Sequence, residues 1–428
     1  MPDSSSPKSA AFQDYPAAFW CLMAFTFIVL VAPQNVYPAL RPLNIAFITG
    51  GAALALFLLG ALSRGTLQSH PPREIKLFGL FGLLALASIP LSWWPGGSWE
   101  VFFGQLFKSL IVYVLASQLL VDPRRFRQHL WLCLLSGIVI AAIALSSFLG
   151  GVRVGGYRMA GAIAGMTANP NDLALTLNLF LSFGLLLCVT GSVVGRIAAG
   201  AFVLLSLAAV LLSFSRAGFL TLVTVGVLCF GRAIRRGGLP ALLGLAALAL
   251  LASLLIPAGY GERISTILDH AGEGSAEDRL ADMTRAVRVT IENPFVGVGL
   301  GQNILALEAA GGRWHFVHNV YLQISADLGI PALVVFLVLF GLLMRQVREI
   351  HAQPPSGVAG RQLAAMAEAT EVSLWAYAVA GMFHPAAYQF YFFYLAGFAS
   401  ALNRAHRGLA GPDRYTKSAV FWSGLGSR

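Results

Sequence analysis

Two kinds of residue stand out in this otherwise apolar chain: arginines with no carboxylate nearby, and a histidine at the head of a long hydrophobic run. Arg216 sits in SFSRAGFL between two apolar stretches, with no Asp or Glu within ten positions. An uncompensated arginine at membrane depth costs several kcal/mol, so this one either snorkels to the surface or waits for an anion. His318 opens HNVYLQISADLGIPALVVFLVLFGLLM, which stays hydrophobic to Met344. As one helix, about 26 residues rise roughly 39 Å, which carries His318 from one membrane face to the headgroup level of the other. Such a histidine is an interfacial anchor unless its company says otherwise, and its company is an arginine-rich stretch immediately before it. Arg158 and the turn TANPNDLAL (residues 167–175) form a second polar cluster. There Pro170 fixes the backbone and the flanking Asn169 and Asn171 suit a helix cap, a role that by itself asks for no ligand.

These residues need elements to hold them. Residues 258–317 are the one long hydrophilic segment between apolar runs, and long loops of that kind tend to be functional. Within it Ser275-Ala-Glu-Asp278 reads as a capped helix start, Leu280, Met283, Val287 and Ile291 recur at helical spacing as one apolar stripe, and Asn293-Pro294 ends the helix. Arg288 has Glu292 one turn away; Arg285 and Arg279 both have Asp282 three residues off, so spacing alone does not single out Arg279. The glycines of GVGLG (297–301) resemble a nucleotide loop only superficially, because no strand precedes them. Asp-x-Asp, His-x-x-x-His and Cys-x-x-Cys patterns are absent from the sequence, so no metal site is expected. Cys21, Cys133, Cys188 and Cys229 all lie in apolar runs and read as small buried hydrophobes rather than disulfide partners.

The composition explains the setting. With 57% hydrophobic residues, 11% charged and a mean hydropathy of +0.73 over 428 residues, the chain departs from the roughly 25% charge of soluble domains and reads as an all-α polytopic membrane protein. A net charge of +10 would suggest nucleic acid in a soluble protein; here the placement of the charges matters more, and no nucleic-acid partner is expected. Apolar runs predict twelve spans near 17–32, 44–62, 77–94, 101–120, 129–149, 172–190, 196–212, 216–231, 239–257, 320–344, 363–383 and 386–402. The chain thus divides into spans one to nine (1–257), a loop with an amphipathic helix (258–317), and spans ten to twelve with a tail (318–428). With both termini cytoplasmic, Lys and Arg concentrate in the inner segments, including 124–127 and 232–236. The outer side holds Arg41, Arg153, Arg158, Arg216, Arg263, Arg279, Arg285, Arg288 and Arg313, as the positive-inside rule requires.

At this point the sequence resembles the O-antigen ligase and polymerase superfamily of polytopic glycosyltransferases. The resemblance rests on His318-Asn319 followed after nine residues by Gly329, on SFSRAG around Arg216, on Arg158, Gly161 and Asn169-Pro170-Asn171, and on Arg279 followed by Ala286, Pro294, Gly297 and Gly299. It covers about residues 155–330, and its histidine motif is most similar to that of ligases. Ala332 departs from the usual glycine, threonine or tyrosine, and Met283 from the usual aromatic. The resemblance implies a GT-C-like glycosyltransferase of the bacterial inner membrane with its large loop in the periplasm. The implied donor is a glycan on undecaprenyl diphosphate and the implied acceptor lipid A-core. His318 would be the general base, Arg158, Arg216 and Arg279 would bind the diphosphate, Asn169, Asn171 and Asn319 would join the substrate site, and no cofactor would be needed. An O-antigen polymerase or a protein O-oligosaccharyltransferase is the neighbouring reading. A secondary transporter fits less well, because such proteins often join two matching halves by a long central cytoplasmic loop, whereas spans six and seven are linked here by residues 191–195.

Overall fold

The computed structural model describes residues 15–65, 72–155, 157–161, 167–235, 274–312 and 314–410, with the backbone alone for 274–278 and 410. These residues form helices: α1 (Pro16–Val31), α2 (Ile45–Ser63), α3 (Arg73–Ser88), α4 (Pro95–Leu119), α5 (Pro123–Leu149), α6 (Pro170–Thr190), α7 (Val193–Leu212), α8 (Arg216–Arg235), α9 (Gly274–Glu292), α10 (Asn303–Ala309), α11 (Val320–Ala352), α12 (Gly357–Ala380) and α13 (Phe390–Ala410), besides short turns such as Pro33–Val36. The described residues contain no strand beyond an isolated bridge between Val154 and Arg158.

Seven of the helices are long and apolar enough to cross a membrane: Pro38–Ser63 (α2 with the turn before it), α4, α5, α6, α7, α8 and α11. The chain is a multi-pass membrane protein. Four more of the expected spans are helices of the same bundle; α1 and α3 have 16 residues each, and α12 carries Arg361, Glu368 and Glu371. The expected span at 239–257 and the loop residues up to 273 lie outside the described residues. Around the core, α6 packs between α7 and α12, α13 lies against α4, and α11 runs beside α3, α9, α12 and α13. Small residues permit this closeness: the ring of Phe202 fills the space where side chains on Gly137 and Gly184 would be.

The structure corrects the sequence reading in three places. The hydrophobic run from His318 to Met344 is not one straight helix, since α11 breaks at Gly329, whose φ of 79° and ψ of 176° are open essentially to glycine alone. Pro331 has no N–H to give the Asp327 carbonyl, and the GVGLG loop supplies what the break leaves open. The Gly299 N–H donates to Asp327 O (2.9 Å), Val298 N–H to Ala326 O (2.9 Å), and Ile330 N–H turns out to Pro294 O (2.8 Å). The loop glycines are therefore explained by backbone approach to α11: a Cβ on Gly297 would stand 2.3 Å from the Asp327 carbonyl carbon. Second, α3 stops at Ser88 instead of reaching 94. Residues 89–94 form turns, and their neighbourhood bonds the same loop, through Trp93 N–H to Val298 O and Leu300 N–H to Ser88 Oγ. Third, the apolar stripe of α9 does not pack as one face: Met283 is half-buried against Ala286, Leu307 and Val317, whereas the other three residues are exposed. Leu280, Val287 and Ile291 are 60%, 43% and 71% exposed, while Asp282, Ala286, Val289 and Thr290 form the buried face. Small Ala286 lets α9 lie close to the rest of the protein, and Thr290 Oγ1 meets Ser325 Oγ of α11 at 3.0 Å.

Candidate functional site

The polar residues that stood apart in the sequence meet at one end of the bundle. Asn169 caps α6, its side chain accepting from Asn171 N–H (2.8 Å), and Pro170 occupies the first helical position, where its missing N–H costs nothing. This turn presents Asn171 to Arg158. Arg158 donates through Nη2 to Asn171 Oδ1 (2.8 Å) and through Nε to the Ser213 carbonyl (2.9 Å), joining the 154–161 segment to the start of α6 and the end of α7. Ser213 belongs to the tight turn that leads into Arg216. Phe214 there has a φ of +47°, uncommon for a residue with a Cβ. The turn is held by Ser213 Oγ, which accepts from Ser215 N–H (3.2 Å), and by Ser215 Oγ, which accepts from Gly218 N–H (3.1 Å). Arg216 is thus the first residue of α8, at a helix N-terminus that favours anions.

His318 lies just before α11. Asn319 caps that helix, its Oδ1 accepting from Tyr321 and Leu322 N–H (3.0 Å each) and its Nδ2 donating to Met382 O (3.3 Å). Its amide is therefore engaged in holding the chain next to His318. Behind it the fully buried Asp327 carboxylate takes Asn303 N–H (2.7 Å), Asn303 Nδ2 (3.0 Å) and the Tyr388 hydroxyl (2.9 Å). Asn303 Oδ1 in turn receives Val317 N–H at 3.0 Å. His318 is consequently pinned from both neighbours, while its own Nδ1 is buried with no hydrogen-bond partner among the described residues. Burial first, then the charge of Arg279 and the nearness of His315 and His384, push its pKa down to about 4, with the Phe316 backbone opposing. At neutral pH the ring is uncharged and has a lone pair to offer.

Arg279, in the first turns of α9, is close enough to His318 and His384 for its charge to disfavour protonation of both. The ambiguity over Asp282 is resolved as follows: it receives Arg285 Nη1 at 2.9 Å and faces His315 Nε2 at 3.2 Å, and Arg288 pairs with Glu292 at 2.8 Å on the exposed side. The described residues show no group of three or more His, Cys, Asp or Glu side chains suited to a metal ion.

Sequence reading passed over His384, in the turn between α12 and α13. It is 2% exposed, with Nε2 3.2 Å from Asn171 O and Nδ1 3.1 Å from Ala380 O. Burial and Arg279 lower its pKa. The available signal was its place: like His318, it is a polar residue between two apolar spans on the same side. A chain of polar contacts runs from the Arg216 turn through Ser213, Arg158 and Asn171 to His384, and the charge of Arg279 reaches both His384 and His318. Guanidinium groups with a neutral imidazole can hold an oxyanion and accept a proton beside it.

The opposite end has a different character. Arg232 and Arg348 pair with the buried Glu371 (2.5 and 2.8 Å), His351 meets the same carboxylate at 2.9 Å, and Arg404 bonds Gln118. Arg232 and Arg348 share the Glu371 carboxylate, as members of a structural ion network do.

Comparison with known proteins gives a mixed picture. No curated protein matches the chain. A chain from a solved structure described as "Structural coordination of polymerization and crosslinking by a peptidoglycan synthase complex" aligns over 79% of this chain and 98% of its own, at 17% identity and a TM-score of 0.44, too distant a likeness to speak to fold or activity. The family model described as O-antigen ligase matches residues 201–337. That stretch carries Arg216, Arg279 and His318, and over it the chain is similar to the O-antigen ligase family.

Proposed function

We propose that the protein is an O-antigen ligase, moving a finished glycan from undecaprenyl diphosphate to a sugar hydroxyl of lipid A-core at the periplasmic face of the bacterial inner membrane. The observation that carries this reading is His318: a half-buried, uncharged imidazole whose buried Nδ1 has no hydrogen-bond partner among the described residues, under the influence of Arg279. In the reaction His318 takes the proton from the acceptor hydroxyl as its oxygen attacks the anomeric carbon. The bond from that carbon to the diphosphate oxygen breaks, with inversion, and the diphosphate leaves with the bonding pair. Arg216 and Arg279, with Arg158 behind them, stabilise the charge that develops on the leaving diphosphate, which is the service a metal would otherwise perform. Asn169, Asn171 and Asn319 serve by setting the backbone on which these groups stand. The site end faces the periplasm because Lys and Arg crowd the alternate loops.

Lipopolysaccharide of a deletion strain, run on a gel and probed for core and O-antigen, tests the reading. Bare core with polymer stranded on its lipid carrier supports ligase. Core bearing a single repeat means polymerase, the second reading, which Ala332 keeps in view.

A further inference from the structure

The turn 381–384 touches both halves of the site. Towards the histidine, Gly381 O accepts Val320 N–H at 2.7 Å and Met382 O accepts Asn319 Nδ2 at 3.3 Å, so this turn carries the start of α11 and the residues following His318. Towards the arginines, His384 Nε2 reaches Asn171 O at 3.2 Å, and Asn171 is the residue that holds Arg158. His384 is buried and its other nitrogen sits 3.1 Å from Ala380 O, at the end of its own helix. A neutral imidazole has one N–H for these two carbonyls; carried on Nε2 it ties the turn after α12 to the start of α6, two helices whose neighbours carry the two functional ends of the site.

We infer that His384 is a positioning residue: through its Nε2 contact with Asn171 it fixes how far the Arg158 clasp stands from His318. This rests on the glycosyl-transfer reading above. His384 touches neither reacting atom in this account; its effect reaches the reaction through Asn171 and the first turn of α6. Transfer chemistry is sensitive to such placement, since a shift of about 1 Å can cost about 10²-fold in rate. The contact should therefore be read in turnover rather than in donor affinity.

The two ring nitrogens have separate amide mimics. His384→Gln places an N–H near the Nε2 position, facing Asn171; His384→Asn places one near the Nδ1 position, facing Ala380, and leaves Asn171 without it. Both keep a buried polar group, and both are compared at equal membrane abundance, using purified protein with a lipid-diphosphate glycan donor and lipid A-core. We expect His384→Asn to lower kcat about 10²-fold with donor KM changed less than about threefold, and His384→Gln to stay within about tenfold of wild type. Adding Arg158→Ala should cost the His384→Asn protein less than it costs wild type, because the clasp is already displaced. Equal kcat for the two amides, a loss confined to KM, or full additivity with Arg158→Ala would each overturn the inference. Its failure is distinguishable from failure of the functional reading, because His318→Ala would still slow transfer about 10²- to 10⁴-fold if only the role of His384 were wrong.

Discussion

Replacing Gly329 with alanine tests the join between α11 and the loop that follows α9. The glycine has φ 79° and ψ 176°, a backbone region that costs an L-residue about 1–3 kcal/mol. Space is equally short, as a Cβ would lie 2.5 Å from the Phe295 carbonyl carbon and 2.8 Å from Pro294 O. Relief requires 294–295 to move, and that strains three backbone hydrogen bonds: Val298 to Ala326, Gly299 to Asp327 and Ile330 to Pro294. At about 1 kcal/mol net each, losing one or two of them with the backbone strain gives a destabilisation of about 2–5 kcal/mol. Because α9 ends just before Pro294, the same displacement moves the helix that carries Arg279. Gly341, in the same helix with open space around it, supplies the control. Heating each protein in detergent and following its remaining monodisperse fraction, beside its turnover, should show Gly329→Ala losing both thermal resistance and activity while Gly341→Ala keeps them. Equal behaviour of the two variants would refute the claim that the break at Gly329 is built into the fold.

Other outcomes follow from the same contacts. His318 works as a base only when uncharged, and its pKa lies near 4 instead of 6.5, so kcat/KM should stay flat from pH 8 to about 6 and fall only on approach to pH 4; an acid limb centred near 6.5 would contradict the burial argument. Stability should move the same way, because an unfolded chain binds protons at His318 and His384 below about pH 6.5 that the folded chain resists; thermal resistance that rose on acidification through that window would count against both assignments. Arg279→Lys should be nearly as damaging to transfer as Arg279→Ala, since a point charge does not reproduce the planar fork on a diphosphate, whereas Arg288→Ala should change little, its partner Glu292 being exposed with it; the reverse ranking would mean the wrong arginine has been chosen. Transfer by purified protein should persist in excess chelator, and restoration of a chelator-treated sample by magnesium or manganese alone would oppose the arginine account.

Much of this was legible in the sequence, and the exceptions have physical causes. Capping at Asn169, the Arg288–Glu292 pair and the end of α9 at Asn293-Pro294 are local, so spacing within a few residues revealed them. The break in α11 was hidden because hydrophobicity runs through it: Gly329 and Pro331 interrupt hydrogen bonding, and only a loop some thirty residues earlier restores it. The spacing on α9 revealed a helix but not its packed face: Met283 of the stripe packs beside Ala286, while Leu280 and Ile291 stay exposed, because burial follows the face that fits the neighbouring elements. Asp327 and His384 escaped notice because their partners, Asn303, Tyr388 and Asn171, are distant in sequence. No local pattern announces such contacts.

The most direct test of the central claim is transfer by the purified protein, supplied with an undecaprenyl-diphosphate-linked glycan and lipid A-core. Wild type should convert lipid A-core to a glycan-bearing product, and His318→Ala, at equal purity and equal thermal resistance, should do so about 10² to 10⁴ times more slowly. Transfer by His318→Ala at the wild-type rate would remove the imidazole from the reaction and with it the mechanism argued for this site.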